Sequence, residues 1–184
     1  REAMAALRVL ELLFVFYFAS HIPITLLFDS QALLPKGSLP PLLSDPMKWY
    51  IQKFKDSLMA NPPTWFYAFI YSEVFLQLPF FPIATYAFYK GGRRWIRIPA
   101  IIYASHVTTS LLPILSHVLL HDFTVPPGTK GVAGPSTMHE RLSLVAVYLP
   151  YLLIPLLIIA TMCLSSTYAG PPASIALSAK QKKK

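Results

Sequence analysis

Four apolar stretches, each long enough to cross a bilayer, constrain this chain more than any other feature. They run roughly from Val9 to Phe28, Trp65 to Tyr89, Ile98 to Leu120 and Leu142 to Leu164. Crossing ~30 Å of hydrocarbon takes ~20 residues of helix. Lipid admits only helices or closed barrels, because each backbone polar group must find its partner inside the protein. The first stretch holds one acid near its start, Glu11, and the second holds Glu73; the third and fourth contain no Lys, Arg, Asp or Glu. A soluble bundle would need polar outer faces, which these segments lack. The sequence therefore predicts an all-α, polytopic membrane protein. Residues 1–168 form a single four-helix transmembrane bundle, and residues 169–184 form a flexible basic tail. The basic start with Arg1 and Arg8 also suits a signal peptide, but the apolar run is too long and no small-x-small cleavage site follows, so it is expected to be retained as a span.

The net charge of +8 comes from 16 Lys and Arg against 8 Asp and Glu. A basic surface can meet nucleic acid, but the placement of these charges argues otherwise. Ten of them fall on one side of an even-numbered topology: Arg1, Arg8, Lys90, Arg93, Arg94, Arg97, Lys180, Lys182, Lys183 and Lys184. The other side has six basic residues set against five acids. The positive-inside rule then puts both termini in the cytoplasm, and no nucleic-acid partner is expected. Lys180 and Lys182 fit a lysine-x-lysine-x-x retrieval signal for the endoplasmic reticulum; a solvated tail resting on anionic lipid is the alternative. Cys163 is the only cysteine, and the one asparagine, Asn61, precedes a proline, so there is neither a disulfide framework nor a glycosylation sequon. Phosphate loops, paired-cysteine metal motifs and nucleophile elbows are absent, and no cofactor or metal is expected.

Between the first two spans, Asp45-Pro46 looks like an N-cap with proline at the first helical position. Met47, Tyr50, Ile51, Phe54 and Leu58 recur at helical spacing, while Lys48, Gln52, Lys53, Lys55 and Asp56 lie mainly on the other side. This predicts a short amphipathic helix in the membrane interface, covering the bundle. Thr137 and Glu140 have the spacing of a capping box at the start of the fourth span. Seven prolines fall inside spans, at 23, 79, 82, 99, 113, 150 and 155; each is expected to free a carbonyl or kink its helix and so open space within the bundle.

The informative residues are those that lipid rejects, since an ionised acid at mid-membrane costs ~3 kcal/mol on insertion scales. Tyr17, His21, Thr25 and Asp29 follow i, i+4 spacing along the first span, and Gln77 lies one turn after Glu73. Tyr103, His106 and Ser110 share a face of the third span, and Tyr148 and Tyr151 are neighbours on the fourth. Together these stripes can line one inward cavity. The same hydroxyls and histidines can equally serve as interhelical hydrogen bonds with no ligand. Acids differ, because an intramembrane carboxylate is a functional candidate by default. Two nearby carboxyls, Asp29 and Glu73, can share a proton and present about one negative charge. In an apolar, aromatic pocket that charge suits an amphipathic amine, and Asp56 on the covering helix can orient Asp29.

Longer motifs then carry a resemblance. Phe18-Ala-Ser-His-Ile-Pro-Ile-Thr-Leu-Leu-Phe-Asp29, Gln77-Leu-Pro-Phe-Phe-Pro-Ile-Ala-Thr-Tyr-Ala-Phe88, Pro99-Ala-Ile-Ile-Tyr103, His139-Glu-Arg-Leu and Tyr148-Leu-Pro-Tyr-Leu-Leu-Ile-Pro155 resemble the sigma-2 receptor family, within the EXPERA superfamily that also holds the emopamil-binding sterol isomerase. The resemblance implies endoplasmic-reticulum residence and a pocket opening sideways to lipid that binds cationic amphiphilic small molecules and sterols. It implies that the amine pairs with Asp29, that Glu73 lies beside it, that Asp56 supports the site, and that Gln77, Tyr103 and Tyr151 line the pocket. It further implies a homodimer, a part in cholesterol homeostasis and contact with the Niemann-Pick type C cholesterol transporter. The expected function is ligand binding rather than catalysis. The alternative is a sterol double-bond isomerase, in which Asp29, Glu73 and His21 would supply the acid and base. A channel is disfavoured by the scarcity of polar residues along the spans.

Overall fold

The computed structural model describes residues 2–35, 37–124 and 134–170. Among these the chain is helical and has no strand. The elements are α1 (Glu2–Leu27), a 3-10 turn (Asp29–Leu33), α2 (Pro41–Phe54), α3 (Ser57–Ala60), α4 (Thr64–Ser72), a π-helical turn (Glu73–Gln77), α5 (Leu78–Lys90), a second 3-10 turn (Arg94–Ile96), α6 (Arg97–Leu120), α7 (Met138–Leu164) and α8 (Ser166–Ala169). Four of the resulting segments are long and apolar enough to cross a membrane: Glu2–Leu33, Thr64–Lys90, Arg94–Leu120 and Met138–Leu164. All four expected stretches are thus present, each longer than its apolar run and the first most of all. Large side chains such as Phe16, Phe75, Leu76, Ile102 and Leu153 point outward and are exposed. A water-soluble surface would not carry so much apolar area; in a bilayer it faces lipid.

α1 packs along α5, and α6 along α7. One aromatic core joins the two pairs: Phe14 and Phe18 of α1, Phe81 and Phe88 of α5, Tyr103 of α6, and Ile158 and Met162 of α7. A smaller cluster of Leu58, Phe66, Ile70 and Ile114 closes the end where α3 and α4 meet α6. Thr137 and Glu140 form the expected capping box of α7.

Arginines satisfy carbonyls at helix ends. Arg8 donates to the carbonyls of Phe88 and Tyr89, Arg97 to that of Met162, and Arg141 to those of Val118, Leu119 and His121. The last carbonyls of a helix have no intrahelical donor, and the guanidinium fork can serve several at once. Glu11 is buried rather than a free charge at the membrane face. It accepts from Arg8 at 3.1 Å, from the Gly92 amide at 2.8 Å and from the Tyr168 hydroxyl at 2.6 Å. This ties the start of α1, the link after α5 and the chain beyond α7 into one knot.

Three local expectations are corrected. The connecting helix starts at Pro41, with Pro40 extended as its N-cap, so Pro46 is interior and Asp45 is no cap but pairs with Lys48. Pro41 is already at the first turn, where a missing N–H costs nothing. The helix also stops before Leu58: Lys55 turns left-handed at φ 54°, and Asp56 starts the separate helix α3. Finally, Pro99 falls in the first turn of α6, where proline loses no helical bond, unlike Pro23, Pro82, Pro113, Pro150 and Pro155 inside their helices. Lys180, Lys182 and most of the expected tail lie outside the described residues.

Candidate ligand-binding cavity

Between the two cores lies a cavity of about 310 Å³, at the small end of the range of small-molecule sites. All four spanning segments and the α2–α3 connection wall it. Its surface is mostly apolar, from residues such as Phe28, Met47, Phe66, Ile70, Val107 and Leu111. The polar residues on the wall are His21, Asp29, Tyr50, Glu73, Gln77, Tyr103, Ser110, Tyr148 and Tyr151. Neither Lys nor Arg is among the lining residues.

The two acids arrive from different elements. α1 ends at Leu27, and Asp29 opens the 3-10 turn that comes next. Glu73 opens the π turn, in which the Leu78 amide reaches the Glu73 carbonyl five residues back. A π turn inserts one residue and rotates the downstream helix by ~100° relative to a continuous α-helix. Just upstream, Ser72 hydrogen-bonds His106 at 2.7 Å, while Glu73, ~100° round the helix, accepts from Thr25 of α1 at 2.7 Å. The carboxyls of Asp29 and Glu73 are close enough to hydrogen-bond each other. A hydrogen bond between them requires a proton on one of the two. Neither acid is in an ion pair among the described residues.

Asp56 departs from its expected place on a polar helix face. It is fully buried, and its two oxygens divide the work. Oδ1 accepts from the Leu58 and Met59 amides, both at 3.1 Å, as the N-cap of α3. Oδ2 accepts from the Tyr50 hydroxyl at 2.8 Å and the Tyr148 hydroxyl at 2.7 Å. Burial, and then the Asp56 charge, push the Tyr50 phenol above its ordinary range, so it stays a donor. No hydrogen bond joins Asp56 to Asp29 among the described residues; Asp56 fastens the lid to α7 rather than aiming the other acid.

Of the polar stripes, His21, Ser110, Tyr148 and Tyr151 reach the cavity along with Asp29, Glu73, Gln77 and Tyr103. Three others do not. His106 is turned away towards Ser72 at the end of α4, whose hydroxyl it meets at 2.7 Å. Tyr17 stands behind the wall, its hydroxyl 3.0 Å from that of Tyr103, and Thr25 is consumed by Glu73. These are the interhelical bonds that burial demands of a polar side chain in lipid. The cavity also gains Tyr50, Met47 and Met59 from the connection. Tyr50 and Met47 share the apolar face visible in the sequence, but which bundle residues that face covers is a tertiary matter.

Residues 42–162 match the family model EXPERA (EXPanded EBP superfamily). The protein Sigma intracellular receptor 2 of Xenopus tropicalis is 55% identical over 161 residues, 88% of this chain and 92% of that one. The proteins of the same name from Homo sapiens and Macaca fascicularis are each 52% identical, over 90% and 89% of this chain and 94% and 93% of theirs. On the strength of the family match and of this similarity along nearly the whole length of the sigma-2 receptors, the chain belongs to the EXPERA family.

Proposed function

We propose that the protein is an intramembrane receptor of the sigma-2 type, binding cationic amphiphilic amines and sterols in the bundle cavity. The observation that carries this reading is an acid pair with no cation beside it among the described residues, set in a mostly apolar cavity. A ligand ammonium would supply the missing counter-ion at Asp29, Glu73 would keep the shared proton, and the apolar body would fill the space between Phe66, Ile70 and Leu111. The naming of its relatives as receptors supports binding rather than turnover. We place the protein in the endoplasmic-reticulum membrane with both termini cytoplasmic, as a homodimer acting in cholesterol homeostasis, with the Niemann-Pick type C transporter as a candidate partner.

The test is Asp29→Asn, measured by displacement of a labelled amine from membranes. The substitution is expected to abolish amine binding while the protein still folds; unchanged affinity removes the central claim. The isomerase reading is favoured by one further feature, a histidine on the same wall as two acids. It is tested by incubating purified protein with a sterol carrying the movable double bond. Turnover above that of an Asp29→Asn/Glu73→Gln double variant would establish it.

A further inference from the structure

The cavity has two poles of different chemistry. At one, Asp29 and Glu73 meet below Tyr50 and Tyr148. The other lies deeper along α1. His21 is eight residues before Asp29, ~12 Å at the rise of a helix. Its ring packs edge-on against Tyr151, centroids 4.6 Å apart, and both side chains line the cavity.

His21 is buried, and its Nδ1 lies 3.2 Å from the backbone carbonyl of Tyr17. A carbonyl can only accept, so Nδ1 carries the proton and Nε2 of the neutral ring is left as an acceptor. Among the described residues nothing donates to Nε2, and the Tyr151 hydroxyl makes no hydrogen bond. The neighbouring Tyr103 hydroxyl is already matched to Tyr17. Both side chains line the cavity, and an occupant that pairs with the acceptor and the hydroxyl together gains two hydrogen bonds the protein leaves open.

We infer that the deep pole formed by His21 and Tyr151 is a subsite for a ligand hydroxyl, which donates to His21 Nε2 and accepts from the Tyr151 phenol. The fitting ligand class is an elongated amphiphile with an amine at one end and an alcohol at the other. A ketone or an ether at that end cannot donate, and would leave Nε2 unpaired. This deepens the proposed receptor function and rests on the amine sitting at the acid pole.

The test uses the full chain in lipid nanodiscs with a labelled oxygen-free alkyl-aryl amine as reference probe. Competitors are three steroidal amines with the amine on the side chain, differing only at the far ring position: hydroxyl, ketone or methyl ether. The wild-type protein should bind the alcohol about ten-fold more tightly than the other two, the value of one net hydrogen bond. His21→Phe keeps the ring packing and should equalise the three when each is expressed relative to the reference amine. Tyr151→Phe should weaken alcohol and ketone together. Equal binding of the three by the wild-type protein overturns the subsite without recourse to any variant. So does a His21→Phe protein that loses all ligands alike, including the oxygen-free one. If the reference amine fails to bind, or ignores Asp29→Asn, the acid-pole reading falls separately. The subsite is then read from an uncharged sterol alcohol against its ketone, where a preference lost in His21→Phe supports it and equal binding overturns it.

Discussion

Asp56→Asn is the sharpest probe of how the cavity is roofed. Asparagine can keep the α3 cap with its carbonyl oxygen, since the Leu58 and Met59 amides both bond Oδ1. It cannot keep Oδ2 as an acceptor: an amide nitrogen there only donates, and the Tyr50 and Tyr148 hydroxyls, which now donate to Oδ2, can accept from it only by turning their own protons away unpaired. Two hydrogen bonds to a charged acceptor are lost, at ~1.5–3 kcal/mol each. The expected cost is therefore about 3 kcal/mol or more, and Asp56→Ala adds about 1 kcal/mol for the cap. For a chain of this length 1 kcal/mol moves the melting temperature by ~2–4 °C, so Asp56→Asn should lower it by about 10 °C in a fluorescence-detected melt. Much of that cost is the stranding of two half-buried hydroxyls. The triple variant Asp56→Ala/Tyr50→Phe/Tyr148→Phe should consequently melt above Asp56→Ala alone. Two results would refute the reasoning: Asp56→Asn melting within about 2 °C of wild type, less than 1 kcal/mol, or a triple variant no more stable than the single one.

Other perturbations separate structural knots from surface charge. Glu11→Ala leaves the Tyr168 hydroxyl and the Gly92 amide without their acceptor and should destabilise by about 2–4 kcal/mol, read by the same melt. Gly91→Ala should be comparably harmful: φ is +69°, and an added Cβ would lie 2.7 Å from the Glu11 carboxylate and 2.8 Å from the Arg8 guanidinium. Rescue of Gly91→Ala by Glu11→Ala would show that the clash, rather than the backbone, dominates. Arg141→Lys should behave almost like Arg141→Ala, because one ammonium cannot span the three carbonyls at the end of α6; a fully stable lysine variant would sink that account. Lys55→Ala, by contrast, breaks a half-exposed bridge to Glu140 and should shift the melt by less than ~1 kcal/mol equivalent.

The charge pattern takes on a second meaning in the fold. Arg8, Arg94 and Arg97 sit on the side read from the sequence as cytoplasmic, yet each also donates to backbone carbonyls near helix ends, of Phe88, Thr167 and Met162 among others. Those three guanidinium groups, counted in the sequence for topology, are structural caps in the fold. Glu11, one charge among many in the sequence, is the centre of a buried knot. A local count of charges carries no information about such partners, which come from segments about 80 and 157 residues away.

The sequence by itself determined the four spans, the all-helical class, the capping box of α7 and the membrane acids, because each depends on a local sum: hydropathy over ~20 residues, or a cap within one turn. It also carried the family, through motifs long enough to match. The tertiary structure decided which polar groups meet. Glu73 reaches Thr25 and Asp29 while its neighbour Ser72 takes His106 out of the cavity, and the π turn at Glu73–Gln77 then resets the helical phase of all that follows. The left-handed Lys55 ends one helix and turns Asp56 inward, where a face read from periodicity would have left it in solvent. Helix periodicity assigns faces only while the helix is unbroken, and at both acids it breaks.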